Sequence, residues 1–355
     1  MYDQYVGTMP VREQHRFDEA SLDRWMRQNV EGYKGPVTVE QFKGGQSNPT
    51  FRLTDGAGKR YVLRRKPPGK LLPSAHAVDR EFKVISALHP TDVPVARPYA
   101  LCTDDSVIGT MFYVMDCVEG RVFWDQSLGD LPKDQRAKVY DDMNRAIAAL
   151  HNVDWQAVGL ADFGKPTEYI QRQIHRWTKQ YKDSETELIP EMENLIAWLP
   201  KNIPPGEETS VVHGDYRLDN MIFHPTEPRV LAVLDWELST LGHPLADFSY
   251  HLMSWRLGGG DYRGLLGLDL PALGIPTEDE YVALYCRRTR RDGIPNLDFY
   301  LAYNMFRLAG ILQGIMGRVV AGTASNASAL EQGKRAKPMA IAAWTQVERM
   351  LKKTG

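Results

Sequence analysis

The stretch "VVHGDYRLDNMIFHPTEPRVLAVLDWE", Val211 to Glu237, decides how the rest of the chain is interpreted. It places His213, Asp215 and Asn220 in a polar loop between the apolar runs "SVV" and "MIF". Asp235 then ends the apolar run "VLAVL". Short apolar runs on both sides of a polar segment predict a loop between two strands. Because Mg²⁺ prefers carboxylate and amide oxygens, this stretch can hold a metal ion together with a general base.

The same residues also have a plainer interpretation. Asp and Asn side chains commonly bond their own backbone in turns, and for any single Asp in a loop this is the more frequent case. The spacing H-x-D-x-x-x-x-N, followed by a strand that ends in Asp, is typical of kinase catalytic loops. In those loops the first Asp accepts the proton of the substrate hydroxyl and the Asn binds a metal ion.

The composition limits the classes of function. The chain has 355 residues, of which 43% are hydrophobic, and this exceeds one ordinary domain of about 100 to 200 residues. A formal net charge of −2 gives no basic field that would attract nucleic acid or an anionic membrane. The three cysteines are far apart and no apolar run is long enough to span a bilayer. We therefore expect a soluble, cytoplasmic protein.

The order of predicted elements changes near residue 118. Residues 1–118 contain a helix capped by Asp18, a predicted antiparallel meander, another helix and the apolar strand "MFYVMDCV". Residues 119–355 are mainly helical, apart from the strands around the opening stretch. This pattern predicts an α+β fold with a small β-rich lobe and a larger helical lobe. Ligands commonly bind in the cleft between two lobes.

Several motifs together resemble one known family. They are "GGQSNPTFRL", "YVLRRKPPGKLLPSAHAVDREF", "YVMDCVEG", "HGDYRLDN" and "LDWELSTLGHPLADFSY". This set is similar to the aminoglycoside phosphotransferase and choline kinase type of small-molecule kinase. It is closest to the kinase domain that precedes some acyl-CoA dehydrogenases, and the later "FRLAGILQGIMGR" extends that narrower match. The resemblance implies a protein-kinase-like two-lobe fold.

The resemblance also implies roles for the residues of the opening stretch. Asp215 would be the catalytic base, and Asn220 and Asp235 would bind Mg²⁺. His213 would brace the loop from below together with Asp247. Arg217, two residues after the base, would pair oxygens of the transferred phosphate; a solvent-exposed arginine is the alternative.

Further residues would bind ATP in such a family. The segment that contains Gly44, Gly45, Ser47 and Asn48 would cover the phosphates, although a double glycine is also common in a plain turn. Arg64 takes the place of the family's lysine on the third strand, with Glu81 as its helix partner. Lys66 lies on the same face of that strand and remains a second candidate for the phosphate contact. Asp116 and Val118 would form the hinge that contacts adenine, and a plain buried strand fits the same residues.

The predicted function is an ATP- and Mg²⁺-dependent phosphotransferase that acts on a small-molecule hydroxyl. From residue 251 onward, fourteen Lys and Arg face nine Asp and Glu, a balance that disfavours a polycationic acceptor. The narrower resemblance implies a hydroxyacyl-CoA. The alternatives are an aminoglycoside, choline or other small-alcohol kinase, and a nucleotide-binding pseudokinase.

Overall fold

The computed structural model describes residues 7–44, 48–67, 77–259, 262–324 and 328–354. They form two compact units. The first unit comprises the chain up to Trp124, together with Trp155–Phe163 and Leu218–Ser239. The second comprises Asp125–Asp154, Gly164–Arg217 and the chain from Thr240 onward. The lobe boundary near residue 118 stays a prediction.

The secondary structure combines ten strands and eleven α-helices in the described part of the chain. The strands are β1 (Thr8–Met9), β2 (Thr38–Phe42), β3 (Thr50–Thr54), β4 (Arg60–Arg65), β5 (Pro98–Cys102), β6 (Phe112–Asp116), β7 (Ser210–Val212), β8 (Met221–Phe223), β9 (Val230–Val233) and β10 (Thr240–Gly242). The helices are α1 (Glu19–Asn29), α2 (Val78–Leu88), α3 (Lys133–His151), α4 (Tyr169–Asp183), α5 (Pro190–Trp198), α6 (Pro244–Arg256), α7 (Leu270–Leu273), α8 (Glu278–Thr289), α9 (Leu297–Val320), α10 (Ala329–Gly333) and α11 (Ala336–Thr354).

The first unit is built on a six-stranded antiparallel sheet with the order β1-β2-β3-β4-β6-β5. Phe51 and Leu53 of β3 lie opposite Leu63 and Tyr61 of β4, and all four side chains are fully buried. Alternation along each strand thus produces one apolar face, which packs in a core that also includes residues of α1. The predicted meander β2-β3-β4 is confirmed.

Helix α2 presents one buried face to this sheet. Val78, Glu81, Ile85 and Leu88 are buried at spacings of three and four residues, which places them on the same side of the helix. Glu81 is the one acidic residue in this apolar row. A carboxylate at such a position needs a charged or hydrogen-bonding partner.

The second unit is mainly helical. Its central helix, α9, is 24 residues long and packs against α4, α6 and α11. The short strands β7 and β10 pair antiparallel, with Val212 opposite Thr240. Helix α6 begins just after β10, and Asp247 in its first turn accepts hydrogen bonds from the amides of His213 and Gly214, at the start of the catalytic loop predicted above. Within the described ranges, no helix combines the length and apolar character needed to cross a membrane.

Candidate active site

In the second unit, the loop that follows β7 is held by a buried carboxylate. The backbone amides of His213 and Gly214 donate to the two oxygens of Asp247, at 2.7 and 2.8 Å. The amide of Asp215 donates to His213 Nδ1 at 3.2 Å. Gly214 has a φ of 85°, a conformation that a residue with a side chain rarely adopts. Both residues that were predicted to brace the loop, His213 and Asp247, thus accept hydrogen bonds from its backbone amides.

Asp247 is in turn held by residues from other helices. His151 Nε2 lies 3.2 Å from Asp247 Oδ2, and His151 Nδ1 lies 2.7 Å from the hydroxyl of Tyr285. Burial alone would raise the pKa of Asp247. The hydrogen bond and charge of His151, together with His213, outweigh burial and hold this pKa below its usual value. Asp247 therefore supports the loop as an anion.

The carboxylate of Asp215 has two partners on the same oxygen. The hydroxyl of Tyr250 donates to Asp215 Oδ1 at 2.7 Å, and Arg217 Nε lies 3.2 Å from this oxygen. Tyr250 and Asp247 are three residues apart on α6, so they share the helix face that meets the loop. Neither His151 nor Tyr250 was predicted from the sequence. The one available signal was the spacing of Asp247 and Tyr250 within "ADFSY".

In the first unit, Arg64 is surrounded by acidic side chains. Its Nε lies 2.9 Å from Glu81 Oε2, and its Nη2 lies 2.8 Å from Asp235 Oδ1 and 3.5 Å from Glu237 Oε2. Burial works against the charge of this guanidinium, but Glu81 and Asp235 hold the pKa of Arg64 above its ordinary value. Lys66 is turned elsewhere, with its Nζ 3.9 Å from Asp79 Oδ1.

Glu81 also accepts hydrogen bonds from two neutral groups. Asn48 Nδ2 donates to Oε1 at 2.9 Å and the Tyr113 hydroxyl donates to Oε2 at 3.1 Å. Burial raises the pKa of Glu81 to about 7, and the charge of Arg64 opposes this rise. The structure thus brings together Asn48, Arg64 and Glu81 from the set predicted to bind ATP.

The hairpin β8–β9 places Asn220 beside Asp235. Met221 pairs with Val233, and the amide of Leu234 donates to the carbonyl oxygen of Asn220 at 2.8 Å. Asp235 follows directly and adopts a left-handed conformation with a φ of 64°. Few residues with a side chain adopt this conformation, and Asp is one of those that do so more often than others.

The chemistry of this group fits a magnesium ion. Three carboxylates, those of Glu81, Asp235 and Glu237, surround the single guanidinium of Arg64, so the group carries excess negative charge. The side-chain amide of Asn220 adds a further oxygen, and the β8–β9 hairpin brings this residue next to Leu234, the neighbour of Asp235. In the part of the chain that the structure describes, no three His, Cys, Asp or Glu side chains meet to hold a metal ion unaided. Two protein ligands are typical where phosphates supply the rest of the magnesium shell.

The remaining predicted residues have simpler surroundings. Asp116 ends β6, where its amide donates to the carbonyl of Arg97 at 2.8 Å and its carboxylate accepts from the Tyr99 hydroxyl at 3.0 Å. Val118 lies two residues beyond and is partly exposed, and Gly44 follows β2. Gly45 and Ser47 lie outside the described residues.

Comparisons with known proteins agree with these observations. Residues 38–286 match the family described as "Phosphotransferase enzyme family". A mouse protein, acyl-CoA dehydrogenase family member 10, is 45% identical over 95% of this chain, but the match covers 32% of that protein. This chain therefore spans about a third of the length of that relative.

Two solved structures are also similar. A Ralstonia eutropha protein, assigned as an aminoglycoside phosphotransferase, is 60% identical and has a TM-score of 0.89, with 94% of this chain and 99% of that chain covered. An aminoglycoside phosphotransferase in complex with ADP and hygromycin B has a TM-score of 0.59 at 16% identity, with 93% and 98% covered. This second likeness confirms the protein-kinase-like, two-lobe α+β fold. The chain belongs to the phosphotransferase enzyme family, whose members are small-molecule phosphotransferases.

Proposed function

We propose that this protein transfers the γ-phosphoryl group of ATP to the hydroxyl of a small molecule, with Asp215 as the general base. The observation that carries this proposal is the position of the Asp215 carboxylate. Tyr250 holds one of its oxygens at 2.7 Å, in a loop whose amides are bound by Asp247. The acceptor hydroxyl would give its proton to Asp215 while its oxygen forms the new bond to phosphorus and the bond to the leaving ADP breaks.

On the nucleotide side, Arg64 would contact the phosphates in place of the lysine usual in kinases. The ion pair with Glu81 at 2.9 Å supports this role, because it fixes the direction of the guanidinium. Gly44, Gly45, Ser47 and Asn48 would cover the phosphates; residues 1–118 would form the nucleotide-binding lobe, and residues 119–355 the catalytic and acceptor-binding lobe. Asp116 and Val118 would contact the adenine edge.

Asn220 and Asp235 would hold Mg²⁺ together with the phosphates. The metal ion would supply positive charge that stabilises the phosphoryl group during transfer. Arg217, whose Nε lies 3.2 Å from Asp215, would turn towards the transferred group, and His213 would keep the loop in place. A reducing, cytoplasmic location fits the three free cysteines.

For the acceptor we propose a hydroxyacyl-CoA. The longer mouse relative is named as an acyl-CoA dehydrogenase family member, and this supports a CoA thioester. The basic excess beyond residue 251 suits an anionic acceptor. A second candidate, an aminoglycoside, is favoured by the assignment of the Ralstonia protein, but the same basic excess would repel a polycation.

The test compares ATP consumption with 4-hydroxyacyl-CoA, the free hydroxy acid, choline and kanamycin, with the product identified by mass spectrometry. We expect preferential phosphorylation of the acyl-CoA. Asp215→Asn serves as the matched control: it should lower kcat by roughly 100- to 10,000-fold, because an amide cannot accept the proton, and leave ATP affinity nearly unchanged.

Other outcomes separate the alternatives. A preference for choline or kanamycin would refute the acyl-CoA and leave the kinase in place. Nucleotide binding without turnover of any acceptor would indicate a pseudokinase. Wild-type turnover by Asp215→Asn would refute the assigned base.

A further inference from the structure

Arg307 is a buried cation in an otherwise apolar part of α9. Its side chain is held by the carbonyl oxygen of Gly214, to which Nη2 donates at 2.9 Å. Its guanidinium carbon lies 5.2 Å from the ring centre of Tyr250 and 5.5 Å from that of Trp177. Arg307 of α9 thus contacts Trp177 of α4, Tyr250 of α6 and the backbone of the catalytic loop. In the described part of the chain no carboxylate forms an ion pair with Arg307.

One turn before Arg307 on α9, Asn304 fixes the position of α9 against α6. Asn304 Nδ2 donates to the carbonyl of Ala246 and to the hydroxyl of Ser249, each at 2.8 Å. Since Asn304 and Arg307 are three residues apart, they lie on the same face of α9. The face of α9 that is hydrogen-bonded to α6 therefore also carries Arg307, whose guanidinium binds the catalytic loop.

Tyr250 connects this arginine to the reacting group. The ring of Tyr250 faces Arg307 and its hydroxyl donates to Asp215 Oδ1 at 2.7 Å. Burial raises the pKa of Tyr250, and the negative charge of Asp215 raises it further, so the hydroxyl stays a donor at neutral pH. The arginine fixes the backbone at Gly214, and the tyrosine fixes the rotamer of the next side chain.

We propose that Arg307 and Tyr250 are positioning residues that together hold the Asp215 carboxylate in its reactive orientation. This proposal rests on the proposed role of Asp215 as general base. Neither residue needs to contact the acceptor or the nucleotide. Their loss should lower kcat and leave the KM for ATP almost unchanged, because misplacing a catalytic group by a fraction of an ångström weakens only the chemical step.

The kinetic test uses Tyr250→Phe, Arg307→Met and Arg307→Lys, with 4-hydroxyacyl-CoA and ATP. We expect kcat to fall roughly 10- to 100-fold in the first two. Arg307→Lys should recover part of this loss, because an ammonium group can still donate to the Gly214 carbonyl. In an Asp215→Asn background, Tyr250→Phe should change the residual rate by less than about twofold, since the two residues act through one group.

Tyr303→Phe is the matched control. It also removes a hydroxyl from a fully buried tyrosine, but this hydroxyl has no hydrogen-bond partner within the described residues. Its kcat should stay within about twofold of wild type. Equal losses of kcat in Tyr303→Phe and Tyr250→Phe would overturn the proposal, because both variants would then act only through packing. A loss of ATP affinity in Arg307→Met as large as its loss of kcat would also overturn it.

Amide hydrogen exchange tests the positioning without any acceptor. Arg307→Met should speed exchange of the amides of Asp215 and Tyr216 by about tenfold or more, and Tyr303→Phe should leave them unchanged. If the wild type phosphorylates none of the acceptors, the proposed function fails, and this measurement still decides whether Arg307 orders the loop. Unchanged exchange in Arg307→Met would overturn the positioning role.

Discussion

Arg64 lies in β4 and Lys66 directly follows that strand, and the two residues differ in their surroundings. The sequence could not separate them, because a strand repeats its orientation every two residues. The structure shows the pairing of Arg64 with Glu81 at 2.9 Å, a contact that depends on where α2 lies against the sheet. The sequence did suggest this pair by position, through the resemblance of its motifs.

Arg64→Ala should damage the enzyme far more than Lys66→Ala. The first change leaves Glu81 buried without its cation, and a carboxyl whose pKa is already about 7 would then take up a proton. We expect ATP affinity to fall roughly 10- to 100-fold in Arg64→Ala and less than about threefold in Lys66→Ala. Isothermal titration with an ATP analogue measures both. The reverse order would assign the phosphate contact to Lys66.

His251 makes stability depend on pH. Burial lowers its pKa from 6.5 to about 3, and the charge of Asp247 opposes this only partly. The unfolded chain therefore binds a proton that the folded chain does not. The neutral, buried His251 therefore costs no free energy of unfolding above pH 6.5. As the pH falls from 6.5 towards 3, the free energy of unfolding decreases by about 1.4 kcal/mol per pH unit.

Urea unfolding between pH 6 and pH 4 checks this expectation. His251→Gln should reduce the pH dependence of the unfolding free energy by about 1.4 kcal/mol per pH unit, and the exposed His175→Gln should leave it as in the wild type. Similar pH dependence in His251→Gln and wild type would show that this histidine is not the cause. His243, whose pKa burial lowers to about 4, should retain a smaller contribution of the same sign.

At the scale of elements, helix α8 begins with a capping box formed by Thr277 and Glu280. The hydroxyl of Thr277 accepts from the amide of Glu280 at 3.3 Å, and the Glu280 carboxylate accepts from the Thr277 amide at 2.8 Å. This capping box satisfies two amides that the helix itself leaves without partners. Because Glu280 is exposed, we attribute the stabilising effect of the box to its two hydrogen bonds with backbone amides.

Thr277→Ala should lower the free energy of unfolding by about 1 kcal/mol, because one helix amide loses its acceptor. Thr345→Ala within α11 removes the hydroxyl of an interior helix position and should change stability by less than about 0.5 kcal/mol. Thermal unfolding of the two variants at one protein concentration provides the comparison. A loss in Thr345→Ala as large as that in Thr277→Ala would contradict the capping argument.

Elements with clear periodicity were predictable, and one strand was not. Residues 119–355 were expected to be mainly helical, and the long helices α3, α4 and α9 lie in this range. Strand β5, Pro98–Cys102, was not predicted, because it begins at a proline. It forms by pairing with β6 at the sheet edge, a contact that local sequence does not encode. The contacts of Tyr250 with Asp215 and of Arg307 with Gly214 were not predicted for the same reason, because they depend on how distant helices pack.

At the scale of the whole molecule, nucleotide and metal should stabilise the protein only in combination. With two protein ligands from Asn220 and Asp235, Mg²⁺ alone should bind weakly, whereas Mg²⁺ with an ATP analogue at 100 times its Kd should add about 2.7 kcal/mol. Differential scanning fluorimetry with each component alone and with both measures this. A full shift with Mg²⁺ alone would refute the two-ligand site. Asp235→Asn should reduce the combined shift.

The left-handed backbone at Asp235 has a further consequence for engineering. The positive φ of this residue works against the folded state, and the position serves the proposed metal site. Gly adopts the same conformation without the steric cost of a side chain. A library selected only for heat resistance should therefore accumulate Gly at this position and yield stable, inactive protein, so selection for stability here must be coupled to selection for turnover.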